Sequence, residues 1–180
     1  MEPSVTTPLT TPVFSKPRVA HLVSLKNLGG VERSFARFYT HHVPSLDHHV
    51  LLQTDGIHPL LKPDLAAFKS RIHGIKGPAS LKIPRLARPL RHAWQRRVLE
   101  QQSIDAILVW NKISNHPMVF PNDMRVVHYE HGTAWLAKDS PSARAYLGRI
   151  DGVVCNSFAA LRLLQIKWGG QQGYSLSRAA

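Results

Sequence analysis

The chain has 180 residues and a mass of 20.2 kDa, room for one domain of ordinary size. Hydrophobic residues make up 43% and charged residues 19%, enough apolar material for a core and too much for wholesale disorder. Subtracting 11 Asp and Glu from 23 Lys and Arg leaves +12 at pH 7, which points to an anionic partner or surface. A single cysteine, Cys155, excludes intramolecular disulfides and multi-cysteine metal sites and suits a reducing compartment.

Residues 1–17 carry four prolines and four threonines and read as a loose leader, with neither the basic start nor the apolar stretch of a secretory signal. No run of 18 apolar residues occurs, so a spanning helix is not expected and the reading is cytoplasmic, with peripheral contact on the inner membrane face left open. From Arg18 the chain turns β-rich and apolar, reaching a Gly29-Gly30 turn. Val31 to His42 then places Val31, Phe35, Phe38 and Tyr39 at helical spacing, with Glu32 in the first turn.

The βα unit recurs without sequence repetition. His49 to Gln53 is a strand, Pro59 to Ser70 a helix, Arg71 to Lys76 a weak strand, and Ile83 to Gln102 a helix whose Pro89 predicts a kink or late start. Ile104 to Trp110 and Arg125 to Tyr129 are strands, Pro141 to Arg149 a short helix, Gly152 to Cys155 a strand, and Phe158 to Trp168 the last helix. Six apolar strands alternating with helices predict an α/β, Rossmann-like doubly wound parallel sheet over 18–168, in the order 3-2-1-4-5-6, followed by an irregular tail over 169–180.

Ligands on such sheets bind at the carboxyl ends of the strands, which selects four loops. In the first, Gly29 and Gly30 could let backbone amides approach a phosphate, helped by Lys26; a tight turn needing positive φ explains them equally well. His131, in the run HYEHGT, stands where strand five ends, as a ligand-facing imidazole or as a capping histidine. His128 and His131 point to opposite sides of an extended strand, so no metal site is assigned. Trp110, Asn111 and Lys112 offer an aromatic, an amide and a cation suited to sugar or phosphate, although ordinary loop polarity also accounts for them. Ser157 reads as a helix N-cap. His41-His42 and His48-His49 read as surface histidines. Finally, Lys82, Arg85, Arg88, Arg91, Arg96 and Arg97 share one helical segment with Leu86, Leu90 and Trp94, either a basic patch for an anionic membrane or glycan or a solvated face.

Three of these segments, in order, resemble the acceptor-side N-terminal domain of GT-B glycosyltransferases of the glycosyltransferase family 4 type. The run from Arg18 to Ser34, containing VAHLVSLKNLGGVERS, is similar to that family's first strand, Gly-Gly loop and G-G-x-E-R helix opening. VVHYEHGT (126–133) resembles its strand ending in His-Gly, and DGVVCNSFAALRLL (151–164) its strand leading into Asn-Ser and a helix. The resemblance implies that the Gly29 and Gly30 amides approach a sugar nucleotide's diphosphate, that His131 lies near the transferred sugar, and that Trp110, Asn111 and Lys112 face the acceptor. It implies no metal or bound cofactor, the nucleotide-sugar being a substrate.

In that family a second domain carrying paired glutamates follows; here the chain runs into Gly169 to Ala180, which begins no strand, and a truncated donor-less half is expected. The expected function is therefore the acceptor-side half of a glycosyltransferase acting from a nucleotide-sugar onto a cell-envelope glycan or glycolipid, inactive alone. The alternative is a stand-alone nucleotide- or nucleic-acid-binding module. Missing G-x-G-x-x-G and nucleic-acid motifs disfavour it, and no specific nucleic acid is expected as partner.

Overall fold

The computed structural model describes residues 15–41, 45–76, 84–110, 113 and 120–169, with 84–88 described as helical backbone only. The leader through residue 14 and the tail from residue 170 lie outside the described residues. Six strands form one parallel sheet: β1 (Arg18–Val23), β2 (Asp47–Leu52), β3 (Ile72–Gly74), β4 (Ala106–Val109), β5 (Arg125–Glu130) and β6 (Gly152–Cys155), in the order β3-β2-β1-β4-β5-β6. This is the expected doubly wound arrangement, reversing between β1 and β4.

The helices are α1 (Gly30–Thr40), the short α2 (Lys62–Leu65), α3 (Pro84–Gln101), α4 (Pro141–Leu147) and α5 (Phe158–Trp168). The single helix expected over Pro59 to Ser70 is broken into a 3-10 turn, the four-residue α2 and a second 3-10 turn. Pro59 and Pro63 each remove an N–H from the ladder, so only short turns form between the inward Leu61 and Leu65. By contrast α3 begins at Pro84 and runs through Pro89, without a late start.

Both sheet faces are covered, because strands alternate their side chains and both sets are apolar. One face packs Ala20, Leu22, Leu51, Ile107, Val109, Val126 and Val153 against α3, α4 and α5. The other packs Val23, Val50 and Trp110 against Phe35, Ala36 and Tyr39 of α1 and against Leu61 and Leu65. Two thin cores thus hold the sheet rigid from either side and leave its carboxyl edge to the loops. Among the described residues, no helix is long and apolar enough to cross a membrane.

The structure also corrects the reading of two histidines. His48 and His49 are buried, 2% and 6% exposed, not surface residues. They stand on a central strand covered on both faces, and each meets another histidine: His21 Nε2 lies 2.9 Å from His48 Nδ1, and His49 Nδ1 lies 3.2 Å from His73 Nε2. Sequence distance hid these partners. His41 is exposed as expected, and His42 lies outside the described residues.

Candidate functional site at the carboxyl edge of the sheet

Strand β1 delivers Lys26 and the glycine pair to the ligand edge, and α1 starts there at Gly30. Glu32 closes this turn: its Oε2 accepts the Gly29 N–H over 3.0 Å, satisfying one of the donors a helix start leaves open. Neither glycine has positive φ; Gly29 is extended, with φ −119°. A tight left-handed turn therefore does not account for the pair. Gly29 is explained by space, since a Cβ there would stand 2.7 Å from Glu32 Oε2. Gly30 has no such reason, for a Cβ would meet nothing within 4 Å. The fold leaves that flank of the helix start open, while Lys26 stands exposed beside it.

Strand β5 ends in two residues that face opposite ways. Glu130 turns to the α4 side, where it is fully buried with His128; His131 turns to the α1 side, against Tyr129 and Trp110. Between them Gly132 takes φ +88°, a left-handed conformation that favours glycine, so the His-Gly pair is required by the turn itself. The His131 ring centroid is 4.7 Å from Tyr129 and 5.2 Å from Trp110. Its Nε2 is buried and has no hydrogen-bond partner among the described residues.

Burial lowers the His131 pKa below its ordinary value, against the opposing charge of Glu130; His128 lowers it further and Glu32 opposes. At neutral pH the imidazole is uncharged, able to donate or accept one hydrogen bond. The same Glu32 that closes the Gly29 turn also acts electrostatically on His131, as the smallest of these influences.

Trp110 lies at this edge but is 2% exposed, and its indole N–H is engaged by His21 Nδ1 at 3.0 Å. Its ring stacks on Tyr129 with centroids 4.4 Å apart. It supports the site from beneath. Asn111 and Lys112 lie outside the described residues. Ser157 caps α5, its hydroxyl accepting from the Ala160 N–H over 3.1 Å.

The described basic residues of the patch belong to α3. Arg91, Arg96 and Arg97 are exposed, with Arg96 paired to Glu100 at 3.0 Å; the side chains of Arg85 and Arg88, and all of Lys82, lie outside the described residues. Leu90 and Trp94 on the same helix remain 45% and 37% exposed. Among the described residues no three His, Cys, Asp or Glu side chains converge as a metal site requires.

Sequence reasoning passed over Glu130 and Tyr146. Tyr146, from α4, meets His128 Nδ1 at 2.9 Å, while His128 Nε2 meets Glu130 Oε2 at 3.2 Å. The one available signal was that His128 and Glu130 sit two apart on a strand and so share a face.

No family model matches the chain, and no curated protein matches it. Solved structures do. Anabaena Alr3699/HepE, determined in complex with UDP and glucose, superposes with a TM-score of 0.55 at 14% identity, over 89% of this chain and 43% of that one. A UDP-N-acetylglucosamine 2-epimerase superposes with a TM-score of 0.51 at 12% identity, over 91% of this chain and 48% of that one. The chain thus spans under half the length of either, and at these identities the likeness is one of fold: a GT-B-like, Rossmann-type α/β domain.

Proposed function

We propose that this chain is the acceptor-side half of a glycosyltransferase that moves a sugar from a nucleotide-sugar to a cell-envelope glycan or glycolipid. The observation that carries the reading is the buried His131 Nε2 at the carboxyl edge, which has no hydrogen-bond partner among the described residues, with the open Gly30 helix start at the same edge. A diphosphate would take the Gly30 amide and the positive end of α1, with Lys26 as counter-charge, the Gly29 N–H being held by Glu32 unless that carboxylate swings away. His131 would then meet a hydroxyl of the transferred sugar or of the acceptor, satisfying its orphaned nitrogen. Acceptor contacts are assigned to Asn111 and Lys112, which follow Trp110 in the sequence.

Departure of the nucleotide in such a site is stabilised by fixed donors where charge develops, and bulk water weakens each of them. This chain supplies one wall. We infer that the 180-residue chain alone binds sugar nucleotides feebly and does not turn over. One structural neighbour, solved with UDP and glucose, supports the nucleotide-sugar class.

Calorimetric or NMR titration with UDP, UDP-glucose and short single-stranded nucleic acids tests the reading. Perturbation at Gly30 and His131 by the nucleotides and none by nucleic acid is expected. Tight nucleic-acid binding at the same loops, or measured transfer by the isolated chain, would overturn it.

A further inference from the structure

Behind His131, on the opposite face of the sheet, lies a buried polar chain that the glycosyltransferase reading does not use. Glu130 and His128 are both 0% exposed. A carboxylate there costs free energy unless it is fully hydrogen-bonded, so its partners identify its task. Burial opposes ionisation of Glu130, but hydrogen bonds from His128 and from the Ala134 and Thr133 amides outweigh it and lower its pKa. An ionised carboxylate only accepts, so His128 Nε2–H donates to Oε2 at 3.2 Å. Burial raises the Tyr146 pKa well above its ordinary value, so its hydroxyl keeps its proton and donates to His128 Nδ1 at 2.9 Å.

The other carboxylate oxygen works on the loop. Glu130 Oε1 accepts the Ala134 N–H over 2.9 Å, bridging the turn that contains His131, Gly132 and Thr133. The Ala134 carbonyl is held from the far side by the Trp168 indole at 3.2 Å. The backbone of Glu130 is itself fixed to β6, its carbonyl accepting from the Asn156 N–H at 3.1 Å. A turn carrying a left-handed glycine is thereby pinned at both ends.

We propose that Glu130 is a positioning residue, whose carboxylate, braced by His128 and Tyr146, ties down the 131–134 turn and sets where the His131 ring stands at the ligand edge. This rests on reading His131 as ligand-facing. Among the described residues, the charged and titratable groups around His131 are Glu130 behind it, Glu32 from α1, and His128 and Tyr129 from β5, with the Trp110 ring closing one side.

The test is imidazole NMR on the full chain labelled with ¹⁵N-histidine, His131 being assigned by its loss in His131→Ala. In the ligand-free protein, Glu130→Gln removes the charge and one acceptor arrangement while keeping size. The His131 signals should shift and its titration midpoint fall by about half a unit, a threefold change in proton affinity. Tyr146→Phe keeps the ring and loses only the brace, and should move the same signals less; it decides the question if Glu130→Gln does not fold. Unchanged His131 signals and midpoint in the folded deciding variant would overturn the proposal. UDP-glucose is then added as probe. A wild-type response at His131 that weakens at least tenfold in the variant supports the positioning role. No wild-type response would sink the glycosyltransferase reading, while the ligand-free comparison still decides the role of Glu130.

Discussion

The indole N–H of Trp110 donates to His21 Nδ1 across 3.0 Å, joining two residues 89 positions apart at the reversal of the sheet. Because Nδ1 accepts, the His21 proton sits on Nε2, which donates to His48 Nδ1 at 2.9 Å. Three side chains on β1, β2 and the end of β4 are thus set in one tautomeric order, packed against Phe35, Phe38 and Tyr39 of α1. The His21 ring has no room for a second proton.

Acid should therefore weaken this fold before its carboxylates begin to titrate. Burial, with lesser repulsion from His48 and His49, lowers the His21 pKa to about 3, and burial also lowers those of His49 and His73. Below pH 6.5 the unfolded histidines take up protons that the folded ones refuse, so stability is complete above that value and is lost as pH falls toward the folded pKa. Each excluded proton contributes a slope of about 1.4 kcal/mol per pH unit. Urea denaturation between pH 7 and pH 5 should show falling stability, with a shallower dependence in His21→Gln. A flat profile in the wild-type chain would refute the cluster's part.

At the site, His131→Phe keeps a ring against Tyr129 and Trp110 and removes a buried nitrogen that has no partner among the described residues. Leaving such a group unsatisfied costs about 1–3 kcal/mol, so the substitution should hold or raise the melting temperature. His131→Ala should cost more, through the lost ring contacts. Both should abolish the response to UDP-glucose, and in a longer, active form of the protein should lower turnover well beyond any loss of stability. A large drop in melting temperature for His131→Phe would mark the residue as structural.

The two glycines separate in the same way. The Cβ of Gly29→Ala would stand 2.7 Å from Glu32 Oε2, displacing that carboxylate from the Gly29 N–H and loosening the helix start, a loss of about 1 kcal/mol. Gly30→Ala points into open space at the first helical position and should stabilise by up to about 1 kcal/mol, while crowding any phosphate at the amides. Gly30→Val should block that approach more fully. Thermal melts paired with UDP titration read both quantities, and undiminished binding by Gly30→Val would remove the phosphate from this loop.

On α3, exposed Leu90 and Trp94 beside Arg91 and Arg97 combine shallow insertion with electrostatic attraction, the chemistry of a helix lying on an anionic bilayer. Trp94 fluorescence should shift to the blue with phosphatidylglycerol vesicles and not with phosphatidylcholine, and the shift should fade with salt. Its indole N–H already reaches the Gly74 carbonyl at 3.2 Å, so part of the ring must stay docked. Equal response to both lipids would reject the contact.

The alternation of apolar strands and helices, read from periodicity alone, determined the element order and the parallel sheet, because strands buried on both faces need continuous apolar runs such as Ala106–Val109. It also singled out the loops where Gly30 and His131 stand, since a doubly wound sheet places its ligand edge by topology. Local signals were legible: Ser157 capping α5, Glu32 at the first turn of α1. What sequence could not supply was partnership at a distance. His48 looked like a surface histidine until β1 brought His21 beside it, and Trp110 looked like an open platform until its N–H met the same ring. Glu130 shared a strand face with His128, but its brace through Tyr146, sixteen residues on and on another element, was not legible. Where donors and acceptors close around a buried polar residue, as at Glu130, that closure is fixed by packing between elements, not by the order of residues within one.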